Sequence, residues 1–117
     1  NIRYMLGSEE NIKTLEQIQK AIEVVDRDRL AQNLSIEQRT LLEESALALR
    51  DAERMLIEKT EKELIKQLEG VSKQLDGISK LIREKVKSIN QIAKSLDSIE
   101  AVIKQIALIG GFAAKLK

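Results

Sequence analysis

The side chains able to do chemistry in this chain are almost all carboxylates and amines. Glu43, Glu44, Glu53, Glu58, Glu61 and Glu63 crowd one stretch, and a carboxylate serves as general acid or base where burial or a like charge shifts its pKa. On a helix, however, such residues are ordinarily solvated or paired one turn on, as Glu58 is spaced to pair with Lys62. Histidine and cysteine do not occur. That removes the usual zinc ligands and the usual general base, and a di-iron bundle, which needs inward Glu-x-x-His pairs, cannot be built. Gly70, Gly77, Gly110 and Gly111 lack the spacing of a phosphate-cradling loop and the strand that precedes one. The expectation is a non-enzymatic protein with no catalytic, metal-binding or cofactor-binding residues and no cofactor.

A second pattern is basic. Lys73, Lys80, Lys87 and Lys94 recur once per heptad, about 10 Å apart along a helix. Such a rail suits phosphates or anionic lipid, but the net charge of the whole chain is only +1. A solvated face is the preferred reading, and nucleic acid is not an expected partner. Tyr4 and Phe112 are the only rings, which leaves no platform for stacking single-stranded bases.

Elements long enough to carry these residues are easily found. The chain has 117 residues, no proline and five glycines, the profile of one domain made of long helices over residues 1–117. From Leu64 onward an apolar residue recurs at alternating steps of four and three: Leu64, Leu68, Val71, Leu75, Ile78, Ile82, then Ile89, Ile92, Leu96, Ile99, Ile103 and Ile106. A 3.5-residue average marks a helix that buries a narrow stripe against other helices. Lys85 interrupts the ladder at an inner position. Its stem is expected to pack while the ammonium reaches water, and the alternative is a register device.

Upstream, Gly7-Ser8-Glu9-Glu10 reads as a helix start with Ser8 as cap. Ile12, Leu15, Ile18, Ile22, Val25 and Leu30 mark the apolar face of a first helix over 8–33. Asn33-Leu34-Ser35 is a short connection, and Ser35-Ile36-Glu37-Gln38 has the capping-box pattern. A second helix begins there, where Leu42, Ala46, Leu49, Glu53, Ile57, Thr60 and Leu64 suggest a period nearer eleven residues than seven.

The apolar phase passes through Gly70 and Gly77 without slipping, although two glycines weaken a helix by about 2 kcal/mol. One continuous helix over 36–108, on the order of 110 Å long, is therefore the favoured reading, ended by Gly110-Gly111. The alternative breaks it at 70–79 and gives a monomeric three-helix bundle. The favoured fold class is all-α: a helical hairpin with a long heptad-repeat helix, assembling as an antiparallel bundle of three or four helices. The ladder's flanks are small or uncharged at Ser72, Gln74, Ser79, Leu81, Val86, Ser88, Ala93, Ser95, Val102, Ala107 and Ile109, with Glu100 the one charge. A two-stranded zipper would carry Glu and Lys there, so the buried face is broad.

Charge divides the chain as well. Residues 1–64 hold 14 acids and 10 bases, a net of −4, and residues 65–117 hold 5 acids and 10 bases, a net of +5. Complementary halves favour packing one against the other, within a chain or between chains. Toward the C-terminus, segment 99–116 is apolar nearly all round, and such a helix is buried or in lipid. Burial in an oligomer core is the preferred reading, and shallow insertion through Ile109, Phe112 and Leu116 is the alternative.

The functional expectation follows from assembly. The chain is read as a structural or interaction protein, a coiled-coil scaffold or protein-binding module. It self-associates as a homo-oligomer through the seam of Leu64, Leu68, Val71, Leu75, Ile78, Ile82, Ile89, Ile92, Leu96, Ile99, Ile103 and Ile106, or binds another helical protein. A membrane-associated, pore-forming or lipid-contacting protein is the alternative. Asn1 in place of an initiator Met suggests a fragment or processed product, so the lack of a signal peptide or anchor excludes nothing. The compartment is not encoded, the cytoplasm being marginally favoured.

Overall fold

The structure is a computed structural model that describes residues 9–58, 61–85 and 92–111, with the side chains of residues 61, 62 and 85 outside that description. Four helices account for nearly all of it: α1 (Glu9–Arg29), α2 (Ile36–Glu58), α3 (Glu61–Lys85) and α4 (Ala93–Gly110). No strand occurs among the described residues. α1 packs on α2 and α4, and α3 packs on the same two helices. The four therefore surround one core in cyclic order, and a single chain supplies a whole helical bundle.

Helix ends follow local chemistry where the sequence supplies it. The Ser35 backbone N–H donates to Gln38 Oε1 at 2.9 Å, and the Gln38 N–H donates to Ser35 Oγ at 3.0 Å, so both halves of the capping box form. α1 stops at Arg29 and not at residue 33. The N–H groups of Leu30 and Ala31 turn back onto the carbonyls of Arg27 and Asp28, three residues earlier. The Arg39 guanidinium then donates to the carbonyls of Arg29 at 2.8 Å and Ala31 at 3.3 Å. These bonds satisfy carbonyls that another helical turn would have used, and they leave Leu30 exposed rather than on the core face. At the far end Gly111 adopts a left-handed conformation, φ 71°, with its N–H directed at the carbonyls of Ala107 and Leu108. A side chain there would be strained, which is why glycine ends this helix. Ser8 lies outside the described residues.

The continuous helix over 36–108 is not what the chain forms. α2, α3 and α4 are separate elements lying side by side, and the longest extent of the molecule is 43 Å. A 25-residue helix already spans about 38 Å, so a helix of 110 Å has no room. The break expected at 70–79 in the three-helix alternative is absent too, because α3 runs unbroken through Gly70 and Gly77. The continuous-helix reading assumed that a kept apolar phase means a kept helix axis, and the alternative took glycine as the breaker. α2 ends at Glu58 and α3 begins at Glu61, and α3 ends at Lys85 and α4 begins at Ala93; no glycine or proline stands between those bounds.

Phase also explains a smaller correction. On α2 the buried stripe is Leu42, Ser45, Ala46, Leu49, Ala52 and Leu56, with Leu41 and Ala48 beside it. Beyond Leu49 the stripe steps to Ala52 and Leu56, not to Glu53 and Ile57. Ile57, which extrapolation from Leu64 places inward, is 37 % exposed, and Glu53 is not buried; Thr60 lies outside the described residues. The error is one residue of phase, carried from α3 into a separate helix that had no reason to keep step with it. On α1 the stripe is Thr14, Ile18, Ala21 and Val25, with Leu15 and Ile22 packed at its edges and Ile12 largely exposed.

Gly70 and Gly77 impose a test. A Cβ built at either position meets nothing within 4 Å, and both lie inside α3 with helical backbone. Each should therefore accept alanine, gaining about 0.5–1 kcal/mol from the restricted unfolded chain and better helix propensity. The double substitution Gly70→Ala/Gly77→Ala is expected to raise Tm by several degrees, about 4–8 °C per kcal/mol for a domain near this size. An unchanged or lower Tm by calorimetry would show that α3 is interrupted in solution.

Candidate functional site

Eleven seam residues of the ladder lie in one intrachain core. Leu64, Leu68, Val71, Leu75, Ile78 and Ile82 of α3, Ile92 just before α4, and Leu96, Ile99, Ile103 and Ile106 of α4 are all buried. Ile89 lies outside the described residues. The ladder's small flanks are buried with it at Ser72, Ser79, Ser95, Val102 and Ala107, although Gln74 is exposed and Leu81 partly so. These seam residues are buried within the chain, so they are not free to meet another chain while the bundle stays closed.

Among the described residues several buried or half-buried polar groups join one helix to another. On the α3–α4 seam Glu100 accepts from Ser79 Oγ at 2.9 Å, from Arg83 Nε at 2.9 Å and from Arg83 Nη2 at 2.6 Å. The Glu100 side chain is 15 % exposed. Burial pushes its carboxyl pKa upward, but the hydrogen bonds from Arg83 and Ser79 and the charges of Arg83 and Lys104 outweigh that and hold it below the usual glutamate value. Arg83 is raised in turn, chiefly by its bonds to Glu100. The one charged flank in the sequence is thus the residue that clamps α4 onto α3.

The α1–α4 seam has its own pair. Ser95, fully buried, donates to Asp28 Oδ2 at 2.6 Å. Asp28 continues the α1 stripe three residues beyond Val25, so it falls on the inner side. Near the other end of α1, Gln105 Nε2 donates to Glu10 Oε2 at 3.2 Å. Between α1 and α2, Asp26 accepts from Arg50 at 2.6 Å and from Arg29 at 3.0 Å. Its carboxyl is held below the usual range by the Arg50 hydrogen bond first, against an opposing cost of burial, with Arg29 adding to the pull. Thr14 and Ser45 are satisfied on their own helices, donating to the carbonyls of Glu10 and Leu41.

The residues that looked able to do chemistry are not gathered. Glu43, Glu44, Glu58 and Glu63 are exposed and Glu53 is half-buried, while the side chain of Glu61 is outside the description. Among the described residues no three carboxylates stand close enough to hold a metal ion. The lysine rail is divided between two helices: Lys73 pairs with Glu69 at 3.7 Å and Lys80 with Asp76 at 3.3 Å on α3, Lys94 stands on α4, and Lys87 is not described. Of the three residues proposed for lipid contact, Ile109 is partly buried against the core, and Phe112 and Leu116 lie outside the described residues.

No family model matches this chain, and neither does any curated protein or solved structure. Its function is therefore inferred from its own geometry. Sequence reading missed Asp26, Asp28, Arg50 and Arg83, because their partners lie 17 to 67 residues away and no local spacing announces them. Glu100 alone carried a signal, as a charge on an otherwise uncharged flank.

Proposed function

We propose that this chain is a non-enzymatic structural or interaction protein, a preorganised antiparallel four-helix bundle that serves as a helical scaffold or protein-binding module. The observation that supports it is the use of the buried and half-buried polar groups. Glu100 with Ser79 and Arg83, Ser95 with Asp28, and Asp26 with Arg50 all join one helix to the next. Directed bonds of this kind set register between helices and hold a shape. The antiparallel order is supported by pairs that climb one helix while descending its neighbour: Glu10 with Gln105 and Asp28 with Ser95 along α1 and α4. The heptad steps are read as the packing repeat of this bundle, and the partner as another helical protein or a second copy.

The membrane reading rests on the apolar segment 99–116, in which Leu108 near the end of α4 is 63 % exposed. No described helix is long and apolar enough to cross a membrane. Ile99, Val102, Ile103 and Ile106 lie inside the bundle, so insertion would require α4 to leave it.

Hydrogen exchange with and without anionic vesicles separates the two readings. A scaffold should protect the core amides of all four helices to similar extents, through one global opening, and vesicles should change nothing. Faster exchange confined to α4 on adding vesicles would overturn the scaffold and favour lipid insertion. Truncation at Ile99 is unsuitable as a probe, because it also removes Val102, Ile103 and Ile106 from the core.

A further inference from the structure

The outer sides of α2 and α3 carry matching patterns. The two helices are neighbours in the ring of four, so together they form one side of the bundle. On α3, Lys66, Gly70, Lys73, Gly77 and Lys80 follow one another at steps of four and three, and all are exposed. On α2, Glu37, Thr40, Glu44, Leu47 and Arg54 are exposed and Asp51 is half-buried. Basic and acidic side chains thus both recur every seven residues, about 10 Å apart. Apolar groups stand among them: Ile36 is 87 % exposed, Leu47 66 % and Leu81 36 %. The fold itself does not require the glycines, because a Cβ at Gly70 or Gly77 would meet nothing within 4 Å.

We propose that this side docks on a second copy of the chain, α2 of each lying antiparallel on α3 of the other. A twofold axis parallel to the helices produces that pairing, given the antiparallel order proposed above. One register satisfies both patterns. It sets Lys66, Lys73 and Lys80 against Asp51, Glu44 and Glu37 of the other copy. The same register sets Glu63 against Arg54 and brings Ile36 to Leu81. Leu47 then falls over Gly70 and Thr40 over Gly77, where the missing side chains leave room for close approach. A shift of seven residues one way runs Lys80 past the start of α2, and the other way lays Glu43 on Leu81. In a parallel pair with the same charges matched, Gly70 and Gly77 would face Leu41 and Ala48, which are buried in the core. Lys73 and Lys80 already meet Glu69 and Asp76 one turn back, at 3.7 and 3.3 Å, but an ammonium has three donors and can serve both. Arg54 donates to Asp51, so across the interface Glu63, Arg54, Asp51 and Lys66 alternate in sign. Such complementarity fixes orientation and register more than affinity, and Ile36 and Leu47 supply the apolar contact. The twofold arrangement uses every contact twice and leaves neither patch open. This proposal rests on the second-copy half of the scaffold reading and names its surface. Its failure leaves the monomeric scaffold standing, since vesicle-insensitive exchange reads that independently.

Sedimentation equilibrium at low ionic strength tests it. The native protein should form a dimer and nothing larger, and added salt should weaken it. Leu47→Asp, Glu44→Lys and Lys73→Glu should each lower the dimerisation constant about tenfold or more, tenfold being about 1.4 kcal/mol. Glu44→Lys/Lys73→Glu restores an opposite pair across the interface and should recover most of that loss. Gly70→Ala/Gly77→Ala should weaken the dimer while raising the Tm of the dilute monomer, a split that damage to the fold would not produce. All of these positions are exposed, so circular dichroism should report native helix in every variant. A native chain that stays monomeric at high concentration, or an assembly that grows past the dimer, would overturn the pairing. So would a dimer indifferent to Leu47→Asp or to Gly70→Ala/Gly77→Ala, or a double charge reversal that binds no tighter than the single ones.

Discussion

Ile99→Asp should unfold the bundle. Ile99 is completely buried in α4, within the apolar core to which all four helices contribute. A carboxylate there has no cation in the core to meet, and an unpaired buried charge costs several kcal/mol even after the group takes up a proton. A domain of this size is stable by only about 5–15 kcal/mol in total. Ile99→Ala removes packing without adding charge and should cost about 2–5 kcal/mol, the range for large-to-small changes in cores. Leu108→Asp supplies the comparison on the same helix. That residue is 63 % exposed, and the change should stay within about 0.5 kcal/mol. Urea titration followed by circular dichroism reads all three. A cooperative transition with native midpoint for Ile99→Asp would mean that α4 is not part of the core in solution.

The second large effect belongs to Glu100. Glu100→Ala leaves the Arg83 guanidinium and the Ser79 hydroxyl without their acceptor at the α3–α4 seam. Hydrogen bonds to charged groups contribute about 1.5–3 kcal/mol. Arg83 is 43 % exposed and finds water in return, so about 2 kcal/mol is expected, with a Tm loss of roughly 8–16 °C. The acid limb should change too. Glu100 and Asp26 both titrate below their ordinary values in the folded state. Protons therefore bind the unfolded chain more tightly, and the stability these two carboxylates supply is complete above their unfolded pKa values, about 4. It is lost as pH falls through the lower folded values. The native protein should lose stability steeply below about pH 4, whereas Glu100→Gln should show a shallower decline there and little change in slope above pH 5. An identical acid limb in the two proteins would mean that Glu100 is solvated and not clamped.

Legibility in the sequence tracked the range of the interaction. The capping box at Ser35 and Gln38 and the glycine stop at Gly111 are contacts within four residues, and both form where the sequence places them. The inner rungs of α3 and α4 were equally readable, because the helical period repeats the same test every three or four residues. α2 was less so: Ala48 and Ala52 are small enough to look like surface or core, and only a neighbouring helix decides. Its stripe was read at Leu42, Ala46 and Leu49, but Ala52 and Leu56 were missed in favour of Glu53 and Ile57 once Leu64 had been taken as part of the same helix. The candidate clamps were nearly invisible. Asp28 and Ser95 stand 67 residues apart, and nothing in either neighbourhood names the other.

By itself the sequence determined that this protein is all helix, which residues of α3 and α4 turn inward, and that the buried face is too broad for a simple zipper. Those properties follow from period and side-chain type, which act over one or two turns. Where the helices fold back was decided only by tertiary structure. No glycine or proline stands between α2 and α3 or between α3 and α4, so side-chain type alone does not announce where one helix gives way to the next. Burying the apolar stripes of four helices against one another decides it, and an intrachain bundle replaces the extended helix that the periodicity alone would build.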